Sequence, residues 1–158
     1  MPRSLSATAR AALFAQETGE VFLFLLVLSH PSLSEPIRVC NDQVNTTSNG
    51  IVYVAFPFQL KLPPDDDTPA PEVSLSIDNV DRKIVEAVRR CQGEPITATL
   101  SIVLASSPNV LEAGPFDFKL RQVDYDKLAV NGTLKFDDIL NEPFPGDTMT
   151  PSRFPGLF

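Results

Sequence analysis

An uninterrupted apolar run from Val21 to Leu28, VFLFLLVL, constrains this chain more than any other feature. Eight uncharged residues are too few to cross a bilayer, which takes about 20. The length suits a strand buried on both faces. Gly19 and Glu20 precede the run, and Ser29, His30 and Pro31 stop it. The run therefore predicts a central strand with protein packed on each side.

The 158 residues, 43% of them hydrophobic, suffice for one domain with one substantial core. The formal charge of −7 and a pI near 4.6 argue against electrostatic capture of nucleic acid or anionic lipid. No run is long enough for membrane insertion. The only cysteines, Cys40 and Cys91, lie far apart without a metal-type partner. Both read as reduced and buried, behaving as small hydrophobes. The Ala-rich start, Met1 to Ala15, lacks the apolar block and cleavage site of a targeting peptide, since Arg10 interrupts it and Gln16-Glu17 follow. It reads as a helix capped by Ser4 or Ser6 and ended at Gly19. Synthesis in the cytoplasm makes the sequons at Asn45 and Asn131 chance matches.

Strand signals dominate the remainder. Ile37 to Cys40 follows Pro36, and a polar stretch then ends in Asn49-Gly50, a turn dipeptide that tolerates positive φ. Ile51 to Phe56 completes what reads as a hairpin with a long polar loop. Pro57 breaks or bends that strand. Phe58, Leu60 and Leu62 alternate with polar residues, as do Val73, Leu75 and Ile77, which marks half-buried strands. Between them, PPDDDTPAP at 63–71 has nothing large to bury and reads as a mobile loop. Its three aspartates lack a calcium-loop spacing. A helix is expected over roughly Val80 to Cys91, with Ile84, Val85 and Val88 on one face. Ile96 to Leu104 is the second long strand, and Ser106 to Gly114 reads as a loop. Phe116 to Tyr125 follows, with a change of parity that predicts a bulge near Arg121-Gln122. Leu128 to Phe136 keeps a period of two, and Asp137 opens a single turn through Leu140.

This order gives seven or eight strands with two or three short helices and no βαβ alternation. The expected fold is mainly β, an antiparallel sandwich or a partly closed barrel. Three regions follow: an N-terminal helical arm at 1–19, a β-rich domain at 20–142, and a Pro- and aromatic-rich tail at 143–158.

Chemistry-bearing constellations are sparse. His30, the only histidine, sits in a turn without a nucleophile motif, and a backbone-bonding turn residue accounts for it. Asp124 and Asp126 share a face in a spacing a glycosidase could use, but a strand that turns Phe118 and Tyr125 inward turns its polar residues out, and a solvated face accounts for them. Asp137, Asp138 and Glu142 complement a helix start. No phosphate loop, zinc spacing or basic patch is present. The residues alone describe an acidic β domain without a catalytic, cofactor-binding or metal-binding set.

Four phrases in order carry a resemblance: LSEPIRVCND at 33–42, TSNGIVYVAFPF at 47–58, SIDNVD at 76–81, and LNEPFP at 140–145 with the ending PGLF. Together they resemble a tail-module family of long-tailed bacteriophages and prophages, a domain of unknown function. They are also similar to the first domain of the lambda-type minor tail protein L. The resemblance runs from about Val21 to Phe158. It implies a non-enzymatic virion protein of the tail tip, made in the host cytoplasm. Such a protein forms a hub or baseplate ring that links the tail tube to a central tip or fibre. A distal-tail adaptor ring is the alternative. A homo-oligomer is implied, a trimer or else a hexamer. The implied neighbours are other tail-tip proteins, the distal tail ring, the tape-measure end and the central fibre. The metal-cluster domain of the L-type protein has no counterpart here, so no cofactor is carried over. Segments that grip neighbours would be the N-terminal arm, with Leu13 and Phe14, the acidic loop, and the tail, with Phe144, Phe154, Leu157 and Phe158. A small cell-wall hydrolase using Asp124, Asp126 and His30, and a ligand-binding barrel with a deep apolar pocket, are the competing classes.

Overall fold

The computed structural model describes residues 5–61, 72–78, 95–125 and 129–136. The chain is mainly β, as expected. Among the described residues, one helix, α1 (Ala7–Phe14), is followed by nine strands: β1 (Phe22–Ser29), β2 (Ile37–Cys40), β3 (Thr46–Ser48), β4 (Ile51–Ala55), β5 (Phe58–Lys61), β6 (Glu72–Asp78), β7 (Ile96–Leu104), β8 (Ser107–Tyr125) and β9 (Ala129–Lys135). They hydrogen-bond in the order β3-β4-β2-β1-β7-β8-β9-β6-β5. The helix expected near 80–91, the turn at 137–140, the loop at 63–71 and Cys91 lie outside the described residues.

The connection from β4 to β5 shapes this sheet. The two strands stand seven places apart in the order. In a flat sheet that separation would be about 34 Å at the usual strand spacing. Only Phe56 and Pro57 join them, and three Cα–Cα steps reach at most about 11 Å. The sheet must therefore curl until its ends meet. Backbone bonds mark the meeting point. Phe56 N–H donates to Cys40 O at 2.9 Å, on the β2 side. Asp78 N–H donates to Pro57 O at 3.1 Å, on the β6 side. Pro57 has no N–H to give a ladder, so it sits where one strand changes partners. The result is the partly closed barrel anticipated from the strand pattern.

The barrel interior is filled by side chains. Cross-strand partners Leu28, Ala98 and Phe118 line up across β1, β7 and β8, and Leu120, Leu134 and Val73 across β8, β9 and β6. All six are buried in one cluster with Leu26, Val39, Phe58 and Ile77. The opposite face of β1 carries Leu23 and Leu25, which pack with Cys40 and Val103 in a second cluster under Tyr53. The apolar run is thus buried on both faces, and each face meets a different core. Burying a leucine in this way is worth about 1.5–3 kcal/mol. Cys40 is free and buried.

Three local readings change. Asn49 and Gly50, with φ of 50° and 79°, close a two-residue turn as expected. The turn joins β4 to the short strand β3, however, and not to β2. The extra strand reverses the chain once more, so β2 and β4 run parallel and not as an antiparallel hairpin. Second, Ser106 to Gly114 is not a loop. Only Ala105 and Ser106 turn, and β8 begins at Ser107. Three register shifts against β7 absorb its Pro, Asn and Gly. Gly114 there has φ 102°, and an added Cβ would lie 2.8 Å from Leu100 O. Third, α1 ends at Phe14, where Ala15 turns extended, well short of Gly19. The predicted bulge is present, since the β8–β9 register shifts between Arg121 and Asp124, and Gln122 takes φ 50°.

Helix α1 is pinned to β8 by a buried carboxylate. Ser6 caps the helix, its Oγ accepting from Ala9 N–H at 3.0 Å. Ser6 N–H in turn donates to Glu112 Oε2 at 2.8 Å. Glu112 is only 5% exposed, and its Oε1 has no partner among the described residues. Ala9 and Ala12 supply the buried face of the helix.

Two outcomes are expected. Gly114→Ala should destabilise the fold by about 1–3 kcal/mol, read as a lowered denaturant midpoint, because both φ and space oppose a side chain. An unchanged midpoint would refute this. Glu112→Ala, which strands the Ser6 N–H, should speed amide exchange in α1 while β1 amides stay protected. Unaltered exchange in α1 would show that the carboxylate does not hold the helix.

Candidate interaction surface

The residues nominated for chemistry are occupied structurally. His30 follows β1, and its Nδ1 accepts from Ser32 N–H at 3.0 Å while its carbonyl accepts from Leu33 N–H at 3.0 Å. It closes a turn, as its sequence context suggested. Asp124 is exposed on β8 and lies outside the barrel opposite Asn131. Asp126 falls outside the described residues. Among the described residues, no three His, Cys, Asp or Glu side chains are placed to share a metal ion. No described helix is long and apolar enough to cross a membrane. The two sequon asparagines are engaged as acceptors: Asn45 Oδ1 from Ala55 N–H at 2.8 Å, and Asn131 Oδ1 from Ser76 Oγ at 2.7 Å.

Two hollows in the described surface are open, with mixed polar and apolar linings. The larger, about 580 Å³, lies over the outer faces of β5, β6, β8 and β9 and is lined by residues such as Gln59, Ser76, Asp124 and Thr133. It has neither convergent acid and nucleophile nor the deep apolar lining of a small-molecule site. The inward side chains of the curled sheet, Leu26 and Leu134 among them, are buried in one cluster.

Exposed apolar side chains are the more informative feature. The last two residues of α1, Leu13 and Phe14, project into solvent, Phe14 at 87% exposure. They are the nominated contact residues that the structure describes; Phe144, Phe154, Leu157 and Phe158 lie outside it. A second group was not foreseen from the sequence. Val52 and Val54 on β4 are 54% and 50% exposed, and Ile51, Val110 and Leu111 are also exposed. These come from two hairpins held together at their tips. Ser48 Oγ donates to Pro108 O at 2.6 Å, and Asn49 N–H donates to Asn109 Oδ1 at 2.7 Å. The signal available in the sequence was charge. Residues 43–60 and 95–111 contain no Asp, Glu, Lys or Arg, although 21% of the chain is charged. Surfaces that depart from charge in this way are characteristic of interface centres.

Comparison with known proteins places this geometry. Among curated proteins, none matches the sequence. Among solved structures, the chain is similar to a chain from the virion of a native gene transfer agent particle, with a TM-score of 0.68 and 15% identity. The match covers 92% of this chain and 50% of that one, so the protein spans half the length of its structural relative. At this identity the likeness establishes a shared fold. The family model described as Domain of unknown function (DUF1833) matches residues 8–149, from within α1 to beyond the last strand, and the chain belongs to that family.

Proposed function

We propose that this protein is a structural component of the tail tip of a long-tailed phage or phage-like particle. It would form part of the hub or baseplate ring that links the tail tube to a central tip or fibre. The observation that carries this reading is the fold likeness to a chain of a gene transfer agent virion over 92% of the protein. The resemblance of four phrases to the lambda-type minor tail protein L points the same way. The geometry fits a role in assembly, with His30 engaged in a turn and Asp124 exposed on the outer face.

A ring protein needs a rigid body and segments that reach its neighbours. The curled sheet supplies the first. The second falls to α1, with Leu13 and Phe14, and to the tail with Phe144, Phe154, Leu157 and Phe158. Copies related by rotation would close through unlike surfaces, as a trimer or a hexamer. The acidic balance disfavours attachment to nucleic acid in such a position.

Particles purified from a producing strain should contain the chain in fixed stoichiometry, detected by mass spectrometry and by antibody labelling at the distal end of the tail. Deleting residues 143–158 should leave the thermal transition of the purified domain nearly unchanged while sharply reducing the yield of complete tails. Absence of the chain from particles would overturn the reading. Normal infectious or transducing particles from the truncated chain would remove the tail from it.

A further inference from the structure

Helix α1 and the place it occupies on β8 form a contact that the chain can make with itself or with a copy of itself. Ser6 N–H at the head of the helix meets Glu112 Oε2, 106 residues away in sequence. Ala9 and Ala12 are the side chains that the helix buries. Arg10, Leu13 and Phe14 stay exposed, so docking uses the opposite face.

This attachment is slight. A helix of eight residues is too short to persist alone in water, so α1 depends on its dock. The dock in turn holds a buried carboxylate. Among the described residues, Glu112 has one hydrogen bond, from Ser6, and its Oε1 has no partner. Keeping so incompletely satisfied a group out of water offsets part of what two alanines and one hydrogen bond contribute. Lifting the helix returns Ser6 N–H to water and opens the carboxylate on that side.

A hinge for that movement is present. Residues 15–19, between α1 and β1, are all exposed. From Gln16 to Gly19 the only hydrogen bond among the described residues is local, Glu20 N–H to Thr18 Oγ1 at 3.1 Å, and Gly19 has open space around it. The body resumes at Glu20 and Val21, which accept from Ser106 Oγ and Ala105 N–H. Six Cα steps from Phe14 to Glu20 give the arm a reach of about 20 Å.

We infer that α1 is an exchangeable arm, which in the assembled particle leaves its own body and docks at Glu112 of the next copy. This rests on the reading of the chain as a repeated particle protein, and it names the segment that crosses. No new surface has to be built, because helix and dock are the same two partners in either arrangement. In dilute solution the tether favours the chain's own helix, at an effective concentration on the order of millimolar. Copies held side by side bring a second helix to each dock at a comparable concentration. Exchange passed from copy to copy is head-to-tail and closes by rotation.

Two variants of the full chain each break one half of the contact. Glu112→Ala removes the acceptor. Ser6→Pro removes the donor and the cap hydroxyl, and the Ser6 φ of −59° already suits proline. Hydrogen exchange is read on isotope-labelled Glu112→Ala chain at about 1 mM. Alone, its α1 amides should exchange fast while β1 amides stay protected. An equal amount of unlabelled Ser6→Pro chain, whose dock is intact and whose own arm is released, should slow them by at least about fivefold. The unlabelled double variant, which lacks the dock, should leave them fast. No slowing with Ser6→Pro would overturn the inference. So would equal slowing with the double variant, or α1 amides that stay protected in Glu112→Ala alone. If Glu112→Ala loses β1 protection, Glu112→Leu replaces it with the same expectations. The two readings fail separately. Slowing as described, with the chain absent from particles, would remove the particle role and keep the exchange. A chain present in particles whose α1 amides are not slowed would remove the exchange and keep the particle role.

Discussion

The link through Phe56 and Pro57 is the constraint on which the rest of the molecule depends. Two residues must connect strands that lie near opposite ends of a nine-strand order, and no flat or gently twisted sheet allows this. The backbone bonds on either side, to Cys40 O and from Asp78 N–H, show one extended segment serving two neighbours in succession. Once the ends are tied, the inward side chains of β1, β6, β7, β8 and β9 have a common interior. The other face of β1 then needs its own cover, which comes from Tyr53 and from the contact of the β3–β4 turn with β8. Strand β1 is the wall between two cores, which is why it tolerates almost no polar residue.

The same constraint decides what is left outside. Leucine, phenylalanine and isoleucine side chains pack the interior of the curled sheet. The exposed apolar side chains lie on its surfaces and on the helix. The strand that closes the barrel also carries the core face out of it, so Val52 and Val54 are exposed by the closure itself. The helix, held through one buried carboxylate, presents its apolar end away from the body. Exposed apolar side chains on β4 and α1 stand beside a buried core, in a fold shared with a virion chain at 15% identity.

Much of this was legible in the residues, and the exceptions have a common cause. The double burial of Val21 to Leu28, the alternation at Val73, Leu75 and Ile77, the Asn49-Gly50 turn and the bulge at Gln122 are local signals that survived folding. Strand β3 and the first half of β8 were hidden because their side chains are Thr, Ser, Pro and Asn, which read as loop. They are strands because long-range partners hold them: β4 pairs with Thr46–Ser48, and β7 pairs with the start of β8. The parallel pairing of β2 and β4 was hidden for the same reason, since one unrecognised strand inverts every direction after it. Leu13 and Phe14 were visible as apolar residues on a helix that could not bury them. Val52 and Val54 were not, because a β-branched strand reads as core until the topology places it at the exposed margin of the sheet.

The central claim is that this curled sheet works as one repeated part of a larger assembly. A cryo-EM reconstruction of the distal end of the intact particle tests it most directly. The account predicts density for this β fold, repeated about the tail axis, with each copy in contact with its neighbours. A tail end whose density is fully assigned without this fold, or a single isolated copy, would contradict it.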